Sequence, residues 1–172
     1  MSLQIRRIIL RFLAFILLQV LVLKQINLGG AEFNYFSILI YPVTILLLPI
    51  HINKTFLLLI SFLVGITVDL FYNSPGVHAG ALVFMAFLRP YVLKYLEPSS
   101  HYGSTDMPYA TKFGLLWYMR YIGILLFIFL FTYFSIEIFT FFYFKTILLK
   151  TIFSFIISFG FLLIHQMLFN PK

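Results

Sequence analysis

Long runs of apolar residues are the feature that most restricts how this chain can fold. The stretch from Phe56 to Val68, for example, contains no charged residue. A membrane-crossing helix needs about 20 mostly apolar residues, and several runs along the sequence approach that length. These runs predict helices that cross a membrane rather than the core of a water-soluble domain.

The composition supports the same class. Of the 172 residues, 62% are hydrophobic and 10% are charged, whereas a soluble domain is nearer half apolar and a quarter charged. A soluble fold of this size would be unable to hide so much apolar surface. We therefore expect an all-α, polytopic membrane helix bundle that forms a single integral membrane domain over residues 1–172. The absence of cysteine excludes a disulfide framework and thiol chemistry.

The apolar runs predict about six transmembrane helices. Their approximate bounds are Ile8–Ile26, Phe36–Ile50, Thr55–Tyr72, Val77–Leu96, Phe113–Ile136 and Thr146–Phe169. The second is short and contains Pro42 and Pro49, which leaves its full crossing open. The first follows a basic start without a clear cleavage site, so we expect it to be retained as a helix. The longest connection, from Glu97 to Lys112, shows no catalytic or metal-binding pattern.

The distribution of lysine and arginine predicts an orientation. With the amino terminus in the cytoplasm, the basic residues on or near the inner side are Arg6, Arg7, Arg11, Lys54, Arg89, Lys94, Lys112, Arg120 and Lys172. Those near the outer side are Lys24, Lys145 and Lys150. This bias favours both termini in the cytoplasm. Since the net charge of +7 is spread along the chain, we expect the lipid bilayer, and no nucleic acid, as a partner.

Asp69 is the acidic residue that lies within a predicted span. A charge inside a membrane is costly and marks a functional site by default. On the predicted topology Asp69 lies one turn below the outer end of the third span, where that cost is smaller. One interpretation is that it fixes the following turn by accepting hydrogen bonds from Asn73 and Ser74. The other is that it handles a proton or a ligand, with His78 as a second group.

Small residues and an Arg-Pro pair mark the fourth span. Gly76 and Gly80 allow close approach of helices in lipid, and Gly65 on the third span offers a facing surface. These positions predict a tight helical hairpin. Pro90 is expected to kink the fourth helix. Arg89 is expected to extend toward the inner headgroups or, alternatively, to contact a partner's membrane segment.

No combination of residues indicates a reaction. His51, His101 and His165 are scattered, and no histidine pair has metal-ligand spacing. Glycine-rich phosphate loops and nucleophile elbows are also missing from the sequence. We therefore expect no catalytic residues, no metal and no cofactor.

Several short patterns occur together in a characteristic order. They are Tyr41-Pro42, Gly65-x-x-x-Asp69, a turn ending in Gly76, His78-Ala79 and Leu88-Arg89-Pro90. In this order, and in length and number of spans, the chain resembles the rod shape-determining protein family MreD, in the form found in Bacteroidetes-like bacteria. Gly65, Asp69, Gly76 and His78 match recurrent positions of that family.

The resemblance implies a function. MreD-like proteins are non-enzymatic scaffolds of the bacterial inner membrane that pair with an MreC-like protein. They act with the MreB cytoskeleton, RodA and a penicillin-binding transpeptidase in lateral peptidoglycan synthesis and regulation of cell shape. Their fold is similar to the substrate-binding subunits of ECF transporters. The structural or partner-binding candidates are Gly65, Asp69, Gly76, His78, Gly80, Arg89 and Pro90.

Two other functions compete with the scaffold. One is a small-molecule-binding membrane subunit of an ECF-like transporter, which calls for polar residues that converge within the spans. The other is an enzyme of lipid or isoprenoid chemistry, which calls for paired acidic residues that bind magnesium. The polar residues of the predicted spans lie at scattered depths, which disfavours the transporter subunit. Asp69 has no second carboxylate beside it in the spans, which disfavours the enzyme.

Overall fold

The computed structural model describes residues 15–21, 37–104 and 106–168, and within these ranges the chain is helical and has no strand. The helices are α1 (15–21), α2 (Val43–Leu46), α3 (Lys54–Tyr72), α4 (Val77–Tyr95), α5 (Ala110–Phe113), α6 (Leu115–Ile138) and α7 (Phe144–Leu168), with a 3-10 turn at Phe141–Tyr143. The prediction of an all-α fold is confirmed.

Four of these helices, α3, α4, α6 and α7, are long and apolar enough to cross a membrane. They correspond to the predicted third, fourth, fifth and sixth spans, with ends displaced by no more than two residues. The chain is therefore a helical membrane protein. The predicted first span falls largely outside the described residues, of which 15–21 are helical.

The predicted second span is not a continuous helix over its described part. Within residues 37–50, here called the broken segment, only Val43–Leu46 is helical. Proline lacks a main-chain N–H, and Pro42 and Pro49 flank this single turn. Leu39, Ile40 and Tyr41 are nevertheless almost completely buried. The broken segment therefore lies inside the bundle without forming a helical span.

Helices α3 and α4 form the expected tight hairpin. A Cβ atom added to Gly65 would lie 2.3 Å from the Cα of Ala79, so the two backbones are in direct contact there. Gly76 serves the turn instead of the packing, because its φ of 85° is disfavoured for other residues. Gly80 faces α6, where an added Cβ would lie 3.2 Å from Cδ1 of Ile136.

Contacts between helix ends define the two ends of the bundle. The indole of Trp117 donates to the carbonyl of Leu96 over 2.7 Å, which places the start of α6 beside the end of α4. This end, called the loop end, also contains the start of α3 and the connection 97–114. Ile136 near the end of α6 meets Gly80 near the start of α4, and this opposite end is called the turn end.

Replacing Gly65 tests the backbone contact of the hairpin. The methyl group of Gly65→Ala would overlap the main chain of Ala79, and overpacking of this kind costs about 1–3 kcal/mol. We expect a lower temperature of thermal unfolding in detergent. Gly160→Ala on α7 is the matched control, since its added Cβ meets no described atom within 4 Å. Equal unfolding temperatures for the two variants would contradict the contact.

Candidate functional site

The carboxylate of Asp69 accepts four hydrogen bonds across the hairpin. Oδ1 accepts from the hydroxyl of Ser74 (3.1 Å) and the main-chain N–H of His78 (3.0 Å). Oδ2 accepts from the main-chain N–H groups of Gly76 (3.1 Å) and Ala79 (3.0 Å). The carboxylate thus binds the first turn of α4 to the last turn of α3.

The turn sequence brings these donors together. Asn73 ends α3 in the left-handed region, with φ of 52°, and Gly76 adopts a second positive φ immediately before α4. The amides at the start of a helix lack intrahelical acceptors and carry a partial positive charge. Asp69, only 5% exposed, supplies both acceptors and negative charge at this point. The turn-fixing interpretation anticipated Ser74 but missed the three main-chain donors. It also named Asn73, whose main-chain N–H instead bonds to the main-chain carbonyl of Asp69.

His78 joins the hairpin to the broken segment. Its imidazole is fully buried, and Nδ1 lies 2.9 Å from the hydroxyl of Tyr41. The rings of Tyr72 and Tyr133 pack on it with centroids 4.8 and 4.7 Å away. The imidazole is thus bonded to Tyr41, whereas the main-chain N–H of His78 is the group that reaches Asp69.

Arg89 lies inside the bundle, and its expected extension toward the headgroups is wrong. Its side chain is 1% exposed. The guanidinium donates to the main-chain carbonyls of Leu46, Leu48 and Pro49, with Nη1 to Pro49 at 3.3 Å. These carbonyls lack helical partners because the broken segment ends its single turn there. α4 continues without interruption through Pro90 to Tyr95.

A tyrosine of α6 completes the arginine site. The hydroxyl of Tyr121 accepts from Nε of Arg89 and donates to the carbonyl of Leu46, both over 2.8 Å. Tyr118 and Tyr121 are fully buried. In the sequence, Arg120 with Trp117, Tyr118 and Tyr121 is typical of an interfacial belt. The structure instead places the two tyrosines in the core.

Side chains of α1 and α7 hold the other half of the broken segment. The main-chain N–H groups of residues 37, 39 and 40 donate to Ser154 Oγ (3.1 Å), Ser158 Oγ (3.1 Å) and Gln19 Oε1 (2.9 Å). The amide nitrogen of Gln19 donates in turn to the carbonyl of Ile38. Sequence reasoning assigned no role to these side chains, because nothing local connects them with the broken segment.

Asp106 fixes the connection at the loop end. Its carboxylate accepts from the main-chain N–H of Gly103 (2.9 Å) and from the ammonium of Lys112. The hydrogen bond from Lys112 holds the pKa of Asp106 below its usual value. The main-chain carbonyl of Asp106 accepts from Ile50 N (2.9 Å). This aspartate, which sequence reasoning missed, therefore attaches the connection to the broken segment.

Tyr102 attaches the same connection to α4. Its hydroxyl donates to the carbonyl of Leu93 over 2.9 Å. Burial raises the pKa of Tyr102 to about 12, which extends to more alkaline pH the range over which the hydroxyl is a donor.

The described residues include no group of three histidine, cysteine, aspartate or glutamate side chains placed to hold a metal ion. Comparison with known proteins identifies no relative, since no family model, no curated protein and no solved structure matches the chain.

Substituting Asp69 tests the turn-fixing contacts. Asp69→Ala leaves the N–H groups of His78 and Ala79 without acceptors, and each unsatisfied buried donor costs about 1–3 kcal/mol. We expect a marked fall in the unfolding temperature, with a smaller fall for Asp69→Asn, which retains one oxygen. Ser74→Ala, which removes a single donor, serves as the control. An Asp69→Ala protein as stable as Ser74→Ala would refute this role.

Substituting Arg89 tests the support of the broken segment. Arg89→Met removes every donor that the guanidinium gives to the carbonyls of residues 46–49. We expect hydrogen exchange in peptides covering residues 37–53 to accelerate by about tenfold or more, since each unsatisfied carbonyl costs about 1–3 kcal/mol. Lys94→Met, an exposed position on the same helix, is expected to leave exchange unchanged. Identical exchange in both variants would disprove the support.

Proposed function

We propose that this chain is a non-enzymatic scaffold of the bacterial inner membrane, of the MreD type, within the cell-elongation machinery. Its proposed direct partner is an MreC-like protein. RodA, a penicillin-binding transpeptidase and the MreB cytoskeleton are the further proposed members of the assembly. The proposed outcome is lateral peptidoglycan synthesis and regulation of cell shape.

The observation that supports the proposal most is how the residues of the resemblance are used. Gly65 provides backbone contact, and Gly76 provides the turn. The carboxylate of Asp69 is occupied by four donors, and the guanidinium of Arg89 is occupied by main-chain carbonyls and a tyrosine. These side chains hold the shape of the bundle, and a defined shape is what a scaffold offers its partners.

A groove between α3 and α4 supports a partner in the membrane. It has a volume of about 510 Å³ and is lined by Leu58, Phe62, Ile66, Gly76, Ala79, Gly80, Val83, Phe84 and Phe87. Gly76 and Gly80 are both exposed along this groove, and small residues of this kind let the backbone of another helix approach closely in lipid. We propose that the membrane segment of the MreC-like partner packs here.

The charges at the two ends support the proposed orientation. The described lysine and arginine residues of the loop end and its adjoining turns are Lys54, Arg89, Lys94, Lys112 and Arg120, and those toward the turn end are Lys145 and Lys150. Basic residues concentrate on the cytoplasmic side of membrane proteins. We propose that the loop end faces the cytoplasm and that Asp69 lies near the outer surface.

An ECF-like transport subunit is the second candidate, and the broken segment is the observation that favours it. Transporters commonly bind substrates where a membrane helix is interrupted, because the interruption frees main-chain groups. In this chain, however, side chains from α1, α4, α6 and α7 already bond to many of the freed groups. Because these main-chain groups already have partners within the protein, the interruption is better explained by a structural role than by substrate binding.

Recovery of partners from the native membrane tests the proposal. The tagged protein would be extracted in mild detergent and its companions identified by mass spectrometry. The scaffold predicts an MreC-like protein, with or without RodA and the transpeptidase. Recovery of ATPase subunits, or of a small molecule without a protein partner, would refute the scaffold and favour transport.

Filling the groove tests where the partner binds. Val83→Trp places a large ring in the groove, so we expect most of the MreC-like protein to be lost from the pull-down while the bundle remains folded. Ile152→Trp is the control, because Ile152 is 46% exposed on α7 and lies away from the groove. Undiminished recovery with Val83→Trp would place the partner elsewhere.

A further inference from the structure

A pocket at the loop end collects basic side chains. It has a volume of about 320 Å³, and Lys54, Arg89 and Lys94 lie on its wall with His51 and Glu97. The pocket opens where α3 begins and α4 ends. This is the level at which the spans leave the apolar part of a membrane and meet the lipid headgroups.

The charge of this loop-end pocket is positive and incompletely neutralised. Lys54 and Lys94 are exposed and form no ion pair with a described residue. The guanidinium of Arg89 has only uncharged partners among the described residues, namely carbonyls and Tyr121. Glu97 is the carboxylate of the pocket, and its Oε1 lies 3.0 Å from Nδ1 of His101.

The contacts of the buried arginine give the pocket a fixed positive wall. The carbonyls that hold this guanidinium carry no net charge, so they do not neutralise it. The start of α3 contributes less attraction for an anion, because the side chain of Asn53 already accepts hydrogen bonds from the N–H groups of Thr55 and Phe56. Attraction for an anion therefore rests on the three basic side chains rather than on a helix terminus.

We propose that the loop-end pocket binds the phosphate group of an anionic ligand. Basic pockets between membrane helices bind phosphate-bearing headgroups, and each lysine or arginine near the surface strengthens the attraction. Leu57 and Leu93 provide an apolar wall beside the cations. The same chemistry accepts the headgroup of an anionic lipid or a soluble phosphate compound. This inference is independent of the scaffold and of its partners.

Two probes distinguish these sources. The whole 172-residue chain would be placed in phosphatidylcholine nanodiscs with or without phosphatidylglycerol, and retained phosphatidylglycerol would be counted by native mass spectrometry. Inorganic phosphate would be titrated against the protein in pure phosphatidylcholine nanodiscs at constant ionic strength, with thermal unfolding as the readout.

The variants alter the pocket by one charge at a time. Lys94→Gln is expected to weaken binding about fivefold, and Lys54→Gln with Lys94→Gln about 25-fold, from the usual contribution of a surface cation. Glu97→Gln is expected to strengthen binding, because it removes the opposing carboxylate. Arg120→Gln is the matched control, since Arg120 is exposed near the loop end and outside the pocket.

Each outcome decides the proposal. Selective loss of phosphatidylglycerol from Lys94→Gln supports a lipid headgroup. Stabilisation by inorganic phosphate that Lys94→Gln weakens and Arg120→Gln preserves supports a soluble compound. If neither probe separates Lys94→Gln from Arg120→Gln, the pocket is not an anion site. The pull-down of partners is a separate measurement, so failure here leaves the scaffold proposal standing.

Discussion

The need to bond main-chain groups inside a membrane determines much of this structure. Lipid offers no hydrogen-bond partners, so every main-chain group that a helix leaves free must be bonded within the protein. The broken segment leaves many such groups free over residues 37–50. The side chains that bond to them come from four other helices and are Gln19, Arg89, Tyr121, Ser154 and Ser158. This requirement explains why so apolar a chain places these polar residues where they are buried.

The two charged side chains associated with α4 follow the same rule. Asp69 is stabilised by main-chain N–H groups at the beginning of α4. Arg89, near the end of α4, is stabilised by main-chain carbonyls of the broken segment. The two charges are not paired with each other. Main-chain dipoles stabilise both charges without neutralising them, which reduces the cost of holding a charge away from water.

The long spans could be predicted because length and apolar content are sufficient signals for a membrane helix. The role of Asp69 in fixing its turn could also be predicted from the sequence, since its donors lie within ten residues of the carboxylate. The structure of the broken segment could not be predicted, because its apolar composition is the same as that of a membrane-crossing helix. Its prolines raised the question without indicating what would replace the missing hydrogen bonds.

The burial of Arg89 depended on information that no local pattern carries. An arginine near the end of a span is able to reach the headgroups, and only the presence of free carbonyls directs it inward. Those carbonyls lie 40 or more residues earlier in the chain. The hydroxyls of Ser154 and Ser158 are still more distant from their partners in sequence, so their role follows from packing alone.

These long separations impose an order on assembly. The N–H of Leu39 bonds to Ser158, which is 119 residues later, and a ribosome makes the chain from its amino end. The broken segment is therefore synthesised long before α7 supplies its acceptors. Until then its main-chain groups depend on water, on the translocation machinery or on a temporary partner. The interior of the bundle around the broken segment can therefore close only after α7 has entered the membrane, although the broken segment itself is made more than 100 residues earlier.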